Sequence, residues 1–198
     1  MVTVSARPRA PVGEHLRAGS PVDGLRVRPL EPNADARGSF TEIFAASWES
    51  GIVPAQWSVV KSAAGVLRGM HLHRRHDEYF LLVEGRASVG LRDVRPGSPT
   101  NGASCLLEFT EKAPAALSFP RGIVHGWYFH EPSIHVQAVS ETYPEYREDD
   151  NLGCLWSDPD LGIPWPETPR LVSPRAAAFP TLRVLIEETL RRDPRFGA

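Results

Sequence analysis

The chain has 198 residues, with 22 Lys and Arg against 24 Asp and Glu and a formal net charge of −2. That length suits one domain with a buried core and is short for two full-sized ones. The near-neutral balance excludes a partner read mainly through bulk charge, such as duplex DNA, and leaves room for a local basic site for a phosphorylated small molecule.

Residues 1–24 read as a flexible arm. The opening MVTVSARPRAPVGEHLRAGS lacks the apolar stretch of a signal peptide, and no later run approaches a membrane span. The expectation is a cytoplasmic protein with no membrane and no nucleic acid as partner. Residues 25–198 read as a single domain of short β-rich runs broken by Gly, Pro, Asn and Asp, the pattern of an all-β sandwich or barrel. Strands are predicted at Leu25–Leu30, Ser39–Phe44, Gln56–Ser62, Val66–His73, Glu78–Glu84, Arg86–Val94, Ser104–Thr110, Ala115–Phe119, His125–Phe129 and Ile134–Thr142. Gly85, between two of these runs, predicts a hairpin with a positive φ, and PGSPTNG at 96–102 predicts a turn-rich connection. Cys105 and Cys154 fit no disulfide framework or zinc pattern and read as reduced packing residues. Beyond Tyr143 a Pro- and Asp-rich tail must wrap over the strands. The terminal TLRVLIEETLRRD puts Leu182, Leu185, Ile186 and Leu190 on one face of a short C-terminal helix.

The chemistry is concentrated in GVLRGMHLHRRHDEYFLLVEG, residues 65–85. His71 and His73 are two apart on a strand and so share a face, to which Glu78 returns from the next run. Pro120, Gly122 and His125 follow in FPRGIVHGW. This spacing resembles the two metal motifs of the cupin superfamily, with Phe129 where a trailing Asn is usual. The resemblance implies a jelly-roll-like antiparallel β-barrel in which His71, His73, Glu78 and His125 hold a divalent metal. That donor set suits Fe, Mn, Ni or Zn with one or two positions open. His76 lies off the pattern and is expected at the surface.

DARGSFTEIF (35–44), VLRGMH (66–71), DVRPGSPTNG (93–102), PRGIVHGW (120–127) and WSDPDLGIPWP (156–166) narrow the resemblance. In order and character they are similar to the dTDP-4-dehydrorhamnose 3,5-epimerases, over residues 25–175. The resemblance implies that His71, paired with Asp158, removes the proton α to the 4-keto group of a small-molecule substrate, a dTDP-sugar. It implies that Arg37 and Arg68 bind the diphosphate, that Glu42 and Gln56 line the nucleotide or sugar site, and that His125 faces the keto oxygen. It also implies a homodimer, with Leu25–Phe44 lending a strand. In a regular strand Arg68 points away from His71, so their joint use requires an irregularity, for which Gly69 is placed.

Two departures stand out. The family's catalytic Tyr falls at Gln137, which is left in the substrate site without a proton to give, and its Lys aligns with Glu78. Gaining His73 while exchanging Lys for Glu78 converts a proton-transfer site into a metal site. His71 then cannot be ligand and free base at once. If metal takes it, the base is hydroxide on the metal, His76, Tyr79 or another group. The leading reading is an epimerase- or isomerase-like enzyme acting on a 4-keto-deoxysugar nucleotide or related carbonyl compound. Beside it stand a metal-dependent oxygenase, lyase or cyclase of a natural-product pathway, and a non-catalytic binding cupin.

Overall fold

The computed structural model describes residues 21–194 and Phe196, so the expected arm over 1–24 falls almost wholly outside the described residues. In chain order the strands are β1 (Arg26–Pro29), β2 (Asn33–Asp35), β3 (Gly38–Phe40), β4 (Gln56–Ser62), β5 (Leu67–Leu72), β6 (Glu78–Glu84), β7 (Arg86–Asp93), β8 (Ser104–Thr110), β9 (Ala115–Phe119), β10 (Ile123–Phe129), β11 (Ser133–Val139) and β12 (Leu152–Gly153). They form two five-stranded antiparallel sheets, ordered β1-β9-β6-β11-β4 and β12-β5-β10-β7-β8, with β2–β3 as a separate ribbon. This is the jelly-roll-like barrel that the motifs imply.

Phe80 and Leu82 of β6, Leu117 and Phe119 of β9, Val89 and Leu91 of β7, Leu107 and Phe109 of β8, and Trp127 and Phe129 of β10 fill the space between the sheets. The outer faces are covered as well. Tyr79, Leu81, Ala116 and Ala138 pack under Leu30 and Ile52 on one side. On the other, Met70, Leu72 and Val124 pack under Leu161, Leu182, Leu185 and Phe196. Being covered on both faces, β9 and β10 are buried along their whole length and lose the alternation of a half-exposed strand.

Two sequence expectations are corrected. The runs flanking Gly85 do not form a hairpin: β6 pairs with β9 and β11, while β7 pairs with β8 and β10. Gly85 instead turns the chain from one sheet to the other, at φ +91°, where a Cβ would meet the Pro132 carbonyl oxygen at 2.8 Å. The strand expected over Ser39–Phe44 stops at Phe40, and its partner β2 was not anticipated; the Asp35 carboxylate accepts from the Arg37 amide and closes the turn between them.

The tail wraps as expected. It holds a single helical turn α1 (Tyr143–Tyr146), 3₁₀ turns at Arg147–Asp150 and Pro159–Leu161, α2 (Pro174–Ala177) and the amphipathic α3 (Leu182–Arg192). Leu182 and Leu185 are buried, with Ile186 and Leu190 packed beside them. No helix among the described residues is long and apolar enough to cross a membrane. Both cysteines are free, and burial pushes each thiol up to about 12, in keeping with packing residues.

Candidate functional site

One end of the barrel interior is polar. β5 and β10 pair so that His125 lies opposite His71, and the register then slips to Gly126 opposite Gly69, leaving Met70 as the extra residue of a bulge. Gly69 is required there: its φ is +136°, and a Cβ would meet the Gly126 Cα at 2.7 Å. The bulge re-aims the strand, and Arg68 and His71 line one cavity of ≈ 400 Å³ together with Lys61, Ser62 and Ser173.

Outside the cavity lining, one ligand atom from each of His73, Glu78 and His125 lies within 4.8 Å of the others. His73 Nε2 stands 3.2 Å from Glu78 Oε1. The other carboxylate oxygen accepts from Gln137 Nε2 at 3.0 Å, because Val139 pairs with Glu78 and Gln137, two residues on, shares its face. Gln137 therefore orients Glu78. His73 Nδ1 lies 2.6 Å from the Asp150 carbonyl and His125 Nδ1 lies 3.0 Å from the Ile123 carbonyl. A carbonyl only accepts, so each Nδ1 carries a proton and each Nε2 is the nitrogen left free of the backbone. Tethering the outer nitrogen in this way is how proteins orient metal-binding histidines, and the donor set fits a divalent metal.

Electrostatics set these groups apart. Burial, then the charges of His73, His125 and Arg175 among its neighbours, push His71 down to about 3, so it is neutral near pH 7. Burial likewise takes His125 to about 4 despite Glu78. Burial alone would raise Glu78, but His73 and His76 hold its carboxyl far below the usual range.

His71 is not within the close group. Its ring centroid is 6.4 Å from that of His73 and 6.2 Å from that of His125, and its Nδ1 is buried with no hydrogen-bond partner. Asp158 is not brought to it. The Asp158 carboxylate accepts from the amides of Asp160 and Leu182, at 2.9 and 2.7 Å, and so caps the 3₁₀ turn and the start of α3. Beside His71 stand Phe179, edge-on at 5.8 Å, and the charge of Arg175, which is ion-paired to Glu148 at 3.1 Å.

The remaining expected residues are spread out. Arg37 is 90% exposed and forked onto Asp35, lining a separate cleft of ≈ 310 Å³. Glu42 is exposed in the loop after β3. Gln56 opens β4 and accepts from the Tyr143 amide at 2.9 Å. His76, expected at the surface, is fully buried: its Nδ1 lies 3.0 Å from Asp150 Oδ2 and its Nε2 3.6 Å from Glu78 Oε1. Burial opposes its charge, but Asp150 and Glu78 outweigh that and lift it to about 9. The sequence reading also missed Asp150, which sits in an acidic run that resembles a solvated turn; its carboxylate accepts from the amides of Arg74 and Arg75. The signal for His76 was its place between His73 and Glu78, one turn of chain from both.

The model of the family described as dTDP-4-dehydrorhamnose 3,5-epimerase matches residues 20–184. Among curated proteins, the dTDP-4-dehydrorhamnose 3,5-epimerase of Sinorhizobium fredii is 31% identical over 79% of this chain and 85% of its own length. The spore coat polysaccharide biosynthesis protein SpsL of Bacillus subtilis is 28% identical over 73% of this chain and 96% of its own. Among solved structures, the dTDP-6-deoxy-D-glucose-3,5-epimerase of Legionella pneumophila, in complex with dTDP-4-keto-L-rhamnose, aligns with a TM-score of 0.76 at 26% identity, covering 84% of this chain and 92% of that one.

Proposed function

Because this chain belongs to the dTDP-4-dehydrorhamnose 3,5-epimerase family, we propose that it isomerises or epimerises a 4-keto-deoxysugar nucleotide, or a closely related carbonyl compound, beside a bound divalent metal. The carrying observation is the convergence of His73, Glu78 and His125, with His71, which lines the cavity, 6.4 and 6.2 Å by ring centroid from His73 and His125. A divalent ion in this donor set supplies Lewis-acid stabilisation of an enolate. The chain's own groups do the rest. His71, neutral and with a ring nitrogen free of partners, takes the proton α to the carbonyl. Arg68 and Lys61 at the cavity suit an anionic part of the substrate such as a diphosphate. Gln137 holds Glu78 in the place where the family's Tyr would act as acid.

Support for a dTDP-sugar substrate comes from relatives named for acting on such sugars and from the Legionella structure solved with one. The reading includes a cytoplasmic homodimer. β1 stands at a sheet edge, and Phe40 of the neighbouring ribbon is 67% exposed, which suits strand exchange with a second copy. A second reading, a metal-dependent oxygenase, lyase or cyclase on the same barrel, draws on Gln137 and on the cation Arg175 in place of a carboxylate beside His71. Incubation of metal-loaded protein with a panel of dTDP-4-keto-6-deoxysugars, followed by proton NMR, tests the proposal. The expected result is a product of unchanged mass and altered ring stereochemistry. Dioxygen uptake, or no change to any sugar in the panel, would displace it.

A further inference from the structure

The motif spacing nominates His71 as the fourth ligand, yet the structure places another imidazole nearer the carboxylate. His76 is fully buried between two carboxylates and forms a close group of ligand atoms with His73 and Asp150. A buried imidazole flanked in this way is held by a proton or, in its place, by a cation. Its Nε2 lies 3.6 Å from Glu78 Oε1, the same oxygen that His73 Nε2 reaches at 3.2 Å. Its ring centroid is 3.9 Å from that of His73, whereas the His71 centroid is 6.4 Å from it.

The surroundings of His76 are built to hold it there. Its Nδ1 faces Asp150 Oδ2 at 3.0 Å, and Asp150 is itself fixed by the amides of Arg74 and Arg75 at 2.6 and 2.9 Å. A carboxylate behind the outer nitrogen of an imidazole is the arrangement that fixes the tautomer and orientation of a metal-binding histidine. Asp150 serves His73 too, through its carbonyl oxygen. One residue thus anchors both imidazoles. The ring of Tyr146, from α1, stacks on His76 at 4.3 Å and covers the pair.

We propose that His76, and not His71, completes the metal centre with His73, Glu78 and His125, that Asp150 positions His76 and His73, and that His71 is thereby left as the free base. The inference rests on the metal reading above and removes its internal conflict, since no residue then serves as both ligand and base.

The test is cobalt(II) and zinc(II) titration of the full chain, read by calorimetry and by the visible absorption of bound cobalt, for His71→Gln, His73→Gln and His76→Gln, with thermal melts to establish folding. The expected result is that His76→Gln and His73→Gln each lose about 100-fold or more in affinity and change the cobalt spectrum, while His71→Gln stays within about threefold. Asp150→Asn should lose about 10- to 100-fold, as expected of a residue that orients ligands. If His76→Gln fails to fold, X-ray absorption of zinc bound to wild type and to His71→Gln decides: an unchanged imidazole count supports the proposal. Loss of metal in His71→Gln with retention in His76→Gln overturns it. If wild type binds neither ion, the metal reading itself falls, whereas the proton-transfer role of His71 can still be tested by exchange.

Discussion

Two carboxylates buried in this barrel have opposite surroundings. Asp93, at the end of β7, accepts from the Arg95 side chain and amide and from the hydroxyls of Ser98 and Thr100, all close in sequence. Burial would raise its pKa, but the hydrogen bonds from Arg95, then Ser98, hold it down to about 2. Glu78 is equally buried, yet it is ringed by imidazoles whose other nitrogens are tethered to carbonyls or to Asp150. A buried carboxylate held by neighbours in its own turn fixes a fold; one ringed by imidazoles from several strands and loops offers a donor set for an ion.

The sharpest division is expected from removing each in turn. Asp93→Ala strands Arg95 and two hydroxyls and should cost about 3–5 kcal/mol in urea unfolding, with metal affinity unchanged. The same variant should lose the acid limb of stability. A carboxyl depressed in the folded state stabilises above its unfolded pKa of about 3.9, and that contribution disappears as pH falls from there through about 2. A wild-type melt that is flat across this window would break the comparison.

Glu78→Gln should act on the metal instead: zinc affinity by calorimetry should fall about 100-fold, or about 2.8 kcal/mol, where Asp93→Ala leaves it unchanged. Unchanged zinc affinity in Glu78→Gln would mean that Glu78 is structural. Wild-type protein saturated with zinc at 100 times its Kd should gain about 2.7 kcal/mol of stability, all of it reversed by chelation. An unaltered melting temperature would count against the site.

At the cavity mouth the expected effects are smaller. Arg68→Ala should weaken dTDP binding by about 1.5 kcal/mol, because its guanidinium lines the cavity and is held there by Ser62 and the Lys61 carbonyl, with no carboxylate paired to it among the described residues. Arg37→Ala should change it by less than about 0.5 kcal/mol, since that side chain is exposed and already forked onto Asp35. Equal losses in titration calorimetry would show that both arginines reach the nucleotide, as strand exchange between two copies permits.

Much of the fold was legible because turn residues punctuate it: the bounds of β4, β6, β8 and β9 coincide with the predicted ones. Pairing was less so. Strands covered on both faces carry no alternation to say which sheet they join, which is why the Gly85 corner resembled a hairpin. His73, Glu78 and His125, which the structure brings close together, could be nominated from the sequence because ligand spacing along the chain is a local signal; His71, nominated with them, lies outside that group. Asp150 comes from the far end of the chain to hold His73 and His76, and no local pattern encodes that meeting. Asp158 was nominated by its motif, but its carboxylate was needed to cap α3.

His71 and an ion held by His73, Glu78 and His125 are expected to act together on a proton α to a carbonyl. The most direct measurement is deuterium incorporation from D₂O into dTDP-4-keto-6-deoxyglucose, followed by proton NMR, for metal-loaded, chelated and His71→Gln protein. Exchange is expected at a carbon flanking the keto group or in conjugation with it, fast only when the metal is present and abolished in His71→Gln. Exchange at the same rate in chelated protein, or its survival in metal-loaded His71→Gln, would contradict it.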